Sequence, residues 1–465
     1  MKRQITLLFG IGILNLILFL GVFILFQNEY IYHNTLGIIS ENYERIGDWN
    51  NFEIKKVSKP FLQIEKDHFD TWDAAIYKCI SERMYQPETK CYGQVRAAFF
   101  PLFPLLWKLT GSSTIGISMI NYLLFMISIG VLIWQFLQTT LYSKYLLYAL
   151  FISLPSTIVY YLPYTEALFL FTATIMVLGI LNKKYWIFFV GCFLMCMVRP
   201  ATVFVLIPIL LIEFLLLLKT KNFSAFLKEA VLKSVPFILA YLCVIWIQYF
   251  YTNTWTAFWE AQKSWSGGIQ VFRQISDWSI EGFGLTSFAI FFVCIPVFLL
   301  FLYILINKFK NQDPYFLKIA NYQVEYLELV SMLYLIGIFL FTCLTSGGNL
   351  HSFFRFILAS PFFYIFLIIF LNSYSQMSIK WTIRIFSMLT IALFLFLYIV
   401  NYGGNRFQFS FFGLYLLVAT SLFLIRYKSL TRSLQILNAI GLILLNTIWN
   451  TYLWNMFFSN GWIFT

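Results

Sequence analysis

Long apolar runs separated by shorter polar segments dominate the chain. Most of these runs reach about 18 residues, the length at which a helix crosses the hydrocarbon core of a bilayer. They predict about thirteen membrane-spanning helices, at 5–26, 112–138, 145–162, 164–182, 185–198, 200–218, 234–252, 284–307, 327–345, 356–372, 381–401, 408–425 and 433–453. The pattern indicates an all-α polytopic membrane protein that forms a single integral membrane domain over residues 1–465.

Two longer polar segments interrupt this pattern. The first, 27–111, is predicted to be a long extracytoplasmic loop, and it ends in the apolar but short run 97–109. Pro101 and Pro104 break that run, so it suits a short interfacial or re-entrant helix better than a span. The second segment, 253–283, is predicted to be another extracytoplasmic loop.

Composition and charge narrow the class further. A chain that is 60% hydrophobic and 11% charged has too much apolar surface for a soluble protein. The net charge of +12 comes from lysines and arginines in alternate short loops, as the positive-inside rule expects, and no nucleic-acid module accompanies it. This alternation predicts a multi-pass protein with a cytoplasmic N-terminus and an extracytoplasmic C-terminus. The expected location is a bacterial plasma membrane.

The first polar loop contains the main candidates for catalysis. Asp67, Asp70 and Asp73 recur every third residue, so a helical conformation would place them near one face. Asp73 and Asp70 are candidate general bases, because a base must reach the proton of an acceptor hydroxyl. Trp72 and Tyr77 would form a wall against a sugar or anchor the loop at the interface. The same acids would also suit a solvated loop that simply stays outside the bilayer.

Polar residues at the predicted outer ends of the spans form the second group of candidates. Glu166 begins a span, where a helix N-terminus favours an acid and where its side chain would face the cavity of the acidic loop. Arginine binds phosphate through two parallel hydrogen bonds. Cations near this face are therefore candidate ligands of a lipid-linked phosphate, although snorkelling to headgroups would explain each one equally well; they are Arg199, Arg355, Arg406, His351 and Lys263.

No cofactor site is predicted. The chain has no Walker loop, dinucleotide fingerprint, nucleophile elbow or zinc-protease helix. Its cysteines lack zinc spacing, and no other pattern indicates a metal, although the need for a divalent ion is left open. Cys79 and Cys91 both lie in the first loop, where a disulfide and two free thiols are equally consistent with the sequence.

Four blocks together resemble the GPI mannosyltransferase II (PIG-V-like) family, within the GT-C class of membrane glycosyltransferases. They are Trp72-Asp73-Ala74-Ala75-Ile76-Tyr77 followed by Arg96 to Leu106, Leu162-Pro163-Tyr164-Thr165-Glu166-Ala167-Leu168-Phe169, Ala261-Gln262-Lys263-Ser264-Trp265, and Ser352 to Arg355. The resemblance implies a GT-C-like fold and places Arg96, Tyr164 and Trp265 among the substrate-binding candidates. It also implies inverting transfer of a sugar, typically mannose, from a polyprenyl-phosphate donor on the outer or luminal side, with Asp73 at the position of the base.

The sequence therefore predicts a membrane glycosyltransferase that uses a polyprenyl-phosphate-linked sugar and works in the lipid bilayer. The acceptor, a glycan, glycolipid or protein, is not specified, and neither are the sugar, the linkage or the oligomeric state. A transporter or flippase of lipid-linked sugars is the alternative, since it would also need many spans and outward cations. Repeat symmetry with paired broken helices would favour that alternative, and the sequence has no recognisable repeat.

Overall fold

The structure, a computed structural model, describes most of the chain. The described residues are 2–35, 43–48, 51–56, 64–86, 93–137, 141–266, 289–302, 322–345, 353–374, 380, 383–384, 387–388, 391 and 431–458. Their helices, in chain order, are α1 (Lys2–Leu25), α2 (Glu29–Asn34), α3 (Asp73–Arg83), α4 (Leu102–Thr110), α5 (Thr114–Phe136), α6 (Leu141–Phe151), α7 (Glu166–Leu181), α8 (Tyr185–Val198), α9 (Val203–Thr220), α10 (Phe223–Thr252), α11 (Ala257–Ser266), α12 (Tyr322–Thr345), α13 (Phe353–Ile357), α14 (Pro361–Tyr374) and α15 (Arg432–Phe458).

Short tight helices connect several of these elements. Short 3-10 helices occupy Lys66–Phe69, Gly93–Ala98, Pro155–Tyr160 and Pro200–Thr202, and Ile290–Cys294 forms a π-helical turn. The long helices pack side by side: α1 lies against α6 and α15, α5 against α7 and α14, and α8 against α7 and α10. The core is therefore a helical assembly in which the first and the last described helices are neighbours.

Six of the described helical stretches are long and apolar enough to cross a membrane. They are Thr6–Leu25, Thr114–Phe136, Pro200–Leu218, Phe223–Thr252, Val324–Thr342 and Arg432–Asn455. The apolar helices α7 and α8 are shorter, with 16 and 14 residues. These positions coincide with predicted spans and confirm the class of helical membrane protein. The predicted span 408–425 and nearly all of 381–401 lie outside the described residues, so the number of thirteen spans stays a prediction.

The prediction of one continuous span over 145–162 is wrong. Helix α6 ends at Phe151, and after a turn the 3-10 helix Pro155–Tyr160 follows. Pro155 has no backbone N–H to continue an α-helix. Irregular backbone at membrane depth is tolerated when protein surrounds it and satisfies its carbonyls. Here Asn121 donates to the carbonyls of Leu162 and Tyr164 at 2.7 and 2.8 Å, and Asn450 donates to the carbonyl of Ser153 at 3.0 Å.

The first polar loop contains a β-hairpin, a local addition to an otherwise helical chain. Strands β1 (Tyr43–Asp48) and β2 (Asn51–Lys56) pair antiparallel, with Asp48 opposite Asn51. The alternation of apolar and polar residues in Phe52-Glu53-Ile54-Lys55 is the strand signal that the search for spans passed over. The short helix predicted within 97–109 is present as α4, which begins one residue after Pro101 and packs against α3, and its interfacial position stays a prediction.

A close approach of α7 and α8 fixes the part of the fold that carries the site. A Cβ atom on Gly179 would lie 2.2 Å from the backbone nitrogen of Phe188, and one on Gly191 would lie 2.2 Å from the backbone nitrogen of Met176. Small residues allow membrane helices to pack backbone against backbone in this way. The two helices run antiparallel, so the start of α7 and the end of α8 lie at the same end of the pair.

Candidate functional site

Four charged side chains from distant parts of the sequence meet in one cluster, which we call the ion cluster: Asp73, Glu166, Arg199 and Arg355. The Nη1 atom of Arg355 lies 3.2 Å from Oδ2 of Asp73. The Nε and Nη2 atoms of Arg355 lie 2.7 and 2.6 Å from Oε1 of Glu166. The same Oε1 atom accepts a hydrogen bond from Nη1 of Arg199 at 3.1 Å. Direct hydrogen bonds and ion pairs thus connect two carboxylates and two guanidinium groups into one network.

Three of these four charged residues lie at helix ends whose partial charge is opposite to their own. Asp73 is the first residue of α3, and Glu166 is the first residue of α7. Arg199 directly follows the last residue of α8. A helix N-terminus carries partial positive charge and a C-terminus partial negative charge, so each group lies at the end that stabilises its ionised form. The local sequence therefore favours two carboxylates and a guanidinium at this meeting point of helix ends.

The ion cluster is buried but electrically balanced. The exposed fraction is 0% for the side chain of Glu166 and 6% for that of Arg355, whereas Asp73 and Arg199 each keep 13%. Removing charges from water is expensive unless they are paired and hydrogen-bonded, and here two anions face two cations. Asp73 is thus the carboxylate of the cluster that a molecule approaching from outside can reach.

Aromatic rings enclose the two arginines. The guanidinium carbon of Arg355 lies 4.9 Å from the ring centroid of Tyr164. That of Arg199 lies 5.1 Å from the ring of Phe356 and 6.0 Å from the ring of Phe169. Such contacts add a cation–π attraction and keep water from the charged groups. Neither phenylalanine was among the site residues predicted from the sequence, although Phe356 follows Arg355 directly and Phe169 lies one helical turn after Glu166.

Tyr77 joins the loop helix to this cluster. Its hydroxyl donates to Oγ1 of Thr165 at 3.4 Å, and its ring packs edge-on against Phe99 and Phe103 at 5.1 and 5.2 Å. Burial raises the pKa of the Tyr77 phenol, and the negative charge of Asp73 raises it further. Tyr77 is therefore a neutral hydrogen-bond donor that fixes α3 against the start of α7, and Thr165 is a contact that the sequence reasoning did not include.

Asp70 makes its contacts elsewhere, although it was predicted as a second base. Its Oδ1 atom accepts a hydrogen bond from the Thr114 hydroxyl at 2.6 Å, and its Oδ2 atom pairs with Lys78. These contacts join the segment before α3 to the start of α5. Asp70 and Asp73 do not share a face, because the α-helix begins only at Asp73.

The remaining predicted residues divide into three groups. Arg96 is buried, and its guanidinium donates to the carbonyl of Gln86, so it braces the loop. Trp72 is exposed next to Asp73, with a φ of 55° that is uncommon for a bulky residue. Lys263 is exposed on α11. The side chain of Trp265 and all of His351 and Arg406 lie outside the described residues, so their assignments stay predictions.

Two findings bear on metals and redox chemistry. Among the described residues, no group of three or more histidine, cysteine, aspartate or glutamate side chains could hold a metal ion. Cys79 of α3 is disulfide-bonded, while Cys192, Cys196, Cys243 and Cys294 form no disulfide bond. The disulfide alternative thus holds for Cys79, and its partner is not among the described side chains.

Comparisons with models of protein families, with curated proteins and with solved structures find no match. The family resemblance of the four sequence blocks therefore stays a prediction.

Proposed function

We propose that the protein is a membrane glycosyltransferase that moves a sugar from a polyprenyl-phosphate donor to an acceptor hydroxyl, with Asp73 as the general base. The observation that carries this proposal is the position of Asp73 in the ion cluster. It is the partly exposed carboxylate, it begins a helix of the polar loop, and it contacts a guanidinium group at 3.2 Å. Glu166 is fully buried and cannot meet an acceptor in this arrangement.

The proposed reaction follows from these positions. The acceptor oxygen attacks the anomeric carbon from the face opposite the phosphate, and the bond between that carbon and the phosphate oxygen breaks. The bonding electron pair leaves with the polyprenyl phosphate, and the proton of the acceptor hydroxyl passes to Asp73. The transfer inverts the anomeric centre. A positioned base contributes about 10²–10⁴-fold to the rate of such a step.

Arg199 is the better candidate for binding the donor phosphate. Among the described residues, its guanidinium makes one hydrogen bond, from Nη1 to Glu166, and 13% of the side chain is exposed. It therefore keeps N–H donors for an anion, and contact with phosphate oxygens would stabilise the charge that develops on the leaving group. Arg355, also predicted as a phosphate ligand, is 6% exposed and lies between two carboxylates.

A lipid-linked donor fits the surroundings of the cluster. The isoprenoid tail must stay in the hydrocarbon core, so its phosphate lies near the ends of the spanning helices. Glu166 and Arg199 lie at the ends of the apolar helices α7 and α8. A soluble sugar nucleotide would instead require a polar domain, and the described residues contain none of such size.

The test compares two carboxylates that lie three residues apart. The purified protein is placed in liposomes with endogenous membrane lipids as acceptors and given radiolabelled polyprenyl-phosphate mannose, and release of free polyprenyl phosphate is measured. We expect Asp73→Asn to reduce release at least about a hundredfold. Asp70→Asn, which removes a charge from the same loop, should keep most of the activity.

The same liposomes also distinguish a glycosyltransferase from a transporter of lipid-linked sugars. A donor that crosses the bilayer without losing its sugar, equally in wild type and in Asp73→Asn, would contradict the transferase and favour a flippase. Release of polyprenyl phosphate by Asp73→Asn at the wild-type rate would remove Asp73 as the base.

A further inference from the structure

Glu166 has an unusual environment for a buried carboxylate. Its side chain has no exposed surface, and its Oε2 atom has no hydrogen-bond partner among the described residues. A buried acceptor without a partner is costly, and most native structures avoid it. Meanwhile its Oε1 atom accepts from Nε of Arg355 and from Nη1 of Arg199. Glu166 thus uses one oxygen for both arginines and leaves the other without a partner among the described residues. This indicates that its position is set by its role in holding the arginines.

Because of this position of Glu166, the N–H donors of Arg355 are divided between two carboxylates. Arginine commonly presents two parallel N–H groups to a single carboxylate. Between the described residues, Nε and Nη2 of Arg355 point to Glu166, and Nη1 is directed at Asp73, where it contacts Oδ2. Without Glu166, the whole fork of Arg355 could close on Asp73. Both oxygens of Asp73 would then be engaged, and the carboxylate would be a poorer proton acceptor.

We infer that Glu166 is a positioning residue: it holds Arg355 so that Asp73 is oriented by one N–H group and keeps its other oxygen for the acceptor hydroxyl. The inference rests on the proposed function of Asp73 as the base. Among the described residues, the charged and titratable groups around Asp73 are Arg355 of α13, Glu166 and Tyr164 at and just before the start of α7, Arg199 after α8, and Tyr77 of its own helix. In this proposal Glu166 acts on the acceptor through Arg355.

The first experiment reads the state of Asp73 without any turnover. A hydrophobic carbodiimide, dicyclohexylcarbodiimide, modifies protonated carboxyl groups, and mass spectrometry of the peptide that contains Asp73 gives the rate of its modification. We expect Glu166→Gln to slow this modification about tenfold or more, because Asp73 then faces an undivided cation. We expect Arg355→Gln to accelerate it, because the cation is gone.

A double variant separates positioning from simple charge repulsion between the two carboxylates. If Glu166 acts through Arg355, Glu166→Gln should have little effect on the modification of Asp73 in the Arg355→Gln background. An equal fold-change in both backgrounds would mean direct repulsion and would overturn the inference. Glu213→Gln is the matched control, since it removes a buried carboxylate from an ion pair with Lys233 outside the cluster. Should Glu166→Gln fail to fold, Glu166→Asp withdraws the carboxylate from Arg355 and should shift the rate in the same direction.

Kinetics with the polyprenyl-phosphate donor provide the second readout. Positioning predicts that Glu166→Gln lowers kcat about tenfold or more while the KM for the donor stays within about twofold. A large rise in KM with unchanged kcat would make Glu166 a donor ligand and contradict the inference. If wild type releases no polyprenyl phosphate at all, the proposed function fails. The rates of carbodiimide modification in the single and double variants still decide how Glu166 and Arg355 affect Asp73.

Discussion

Replacing Gly191 with alanine tests whether the close packing of α7 and α8 holds the ion cluster together. The added Cβ atom would lie 2.2 Å from the backbone nitrogen of Met176 and 2.6 Å from its Cα atom. Backbone atoms cannot turn away as the end of a side chain can. The helices would therefore have to separate by on the order of 1 Å to restore ordinary contact, since protein interiors are close-packed.

The size of the effect follows from this overlap. Inserting a methyl group into a packed core typically costs about 1–3 kcal/mol. Separation of the helices would also move Glu166, at the start of α7, relative to Arg199, at the end of α8. Their hydrogen bond is 3.1 Å long, so a shift of on the order of 1 Å would break it. Gly191→Ala should therefore lower both stability and the proposed transferase activity, although it lies far along the helix from the charges.

Gly441→Ala is the matched control. Gly441 lies in α15, and a Cβ atom there would meet nothing within 4 Å. Alanine in a helix is favoured over glycine by about 0.5–1 kcal/mol, so this variant should be as stable as wild type or slightly more stable. The assay is the thermal loss of the monodisperse peak in size-exclusion chromatography of the detergent-solubilised protein. If Gly191→Ala and Gly441→Ala melted at the same temperature, the backbone contact between α7 and α8 would be refuted.

Three further predictions concern other parts of the fold. Asn121→Leu leaves two buried carbonyls without their amide donor, so we expect a loss of about 1–3 kcal/mol per carbonyl in thermal stability, and an unchanged melting curve would contradict this. Lys233→Met leaves Glu213 buried and unpaired and should cost about 3–5 kcal/mol, whereas adding Glu213→Leu should restore most of the loss; equal stability of the single and double variants would exclude a stabilising pair. Single cysteines at positions 50 and 225 of a cysteine-free variant should react with an impermeant reagent from opposite sides of the membrane, and labelling from one side would disprove the predicted topology.

Local patterns predicted most of the described helices correctly. A run of about 18 apolar residues has to be helical in a bilayer, because every backbone group must find its partner within the segment. For that reason α1, α5 and α15 begin and end within a few residues of the predicted bounds. The span over 145–162 failed because its carbonyls are satisfied by asparagines of other helices, and hydropathy does not register such contacts.

The members of the ion cluster were predicted, but their arrangement was not. Asp73, Glu166, Arg199 and Arg355 were each selected for charge and position, and all but Arg199 also lie in the blocks that carry the resemblance. Arg355 is 282 residues from Asp73 and 189 from Glu166, and no local pattern specifies which charges meet across such separations. Asp70 shows the converse: its spacing was suitable, but the start of α3 at Asp73 leaves it bound to Thr114.

The ion cluster is difficult to explain by stability alone. A buried network of ion pairs is often no more stabilising than well-packed apolar residues of the same volume, because desolvation offsets the attraction between the charges. The cost is larger here, since Oε2 of Glu166 has no partner among the described residues. The cluster also joins unlike elements, because Asp73 belongs to a helix of the polar loop whereas Glu166 belongs to an apolar helix of the core. A partly exposed carboxylate held by a guanidinium group at the ends of two packed helices suits the proposed reaction centre, in which Asp73 takes the proton of the acceptor.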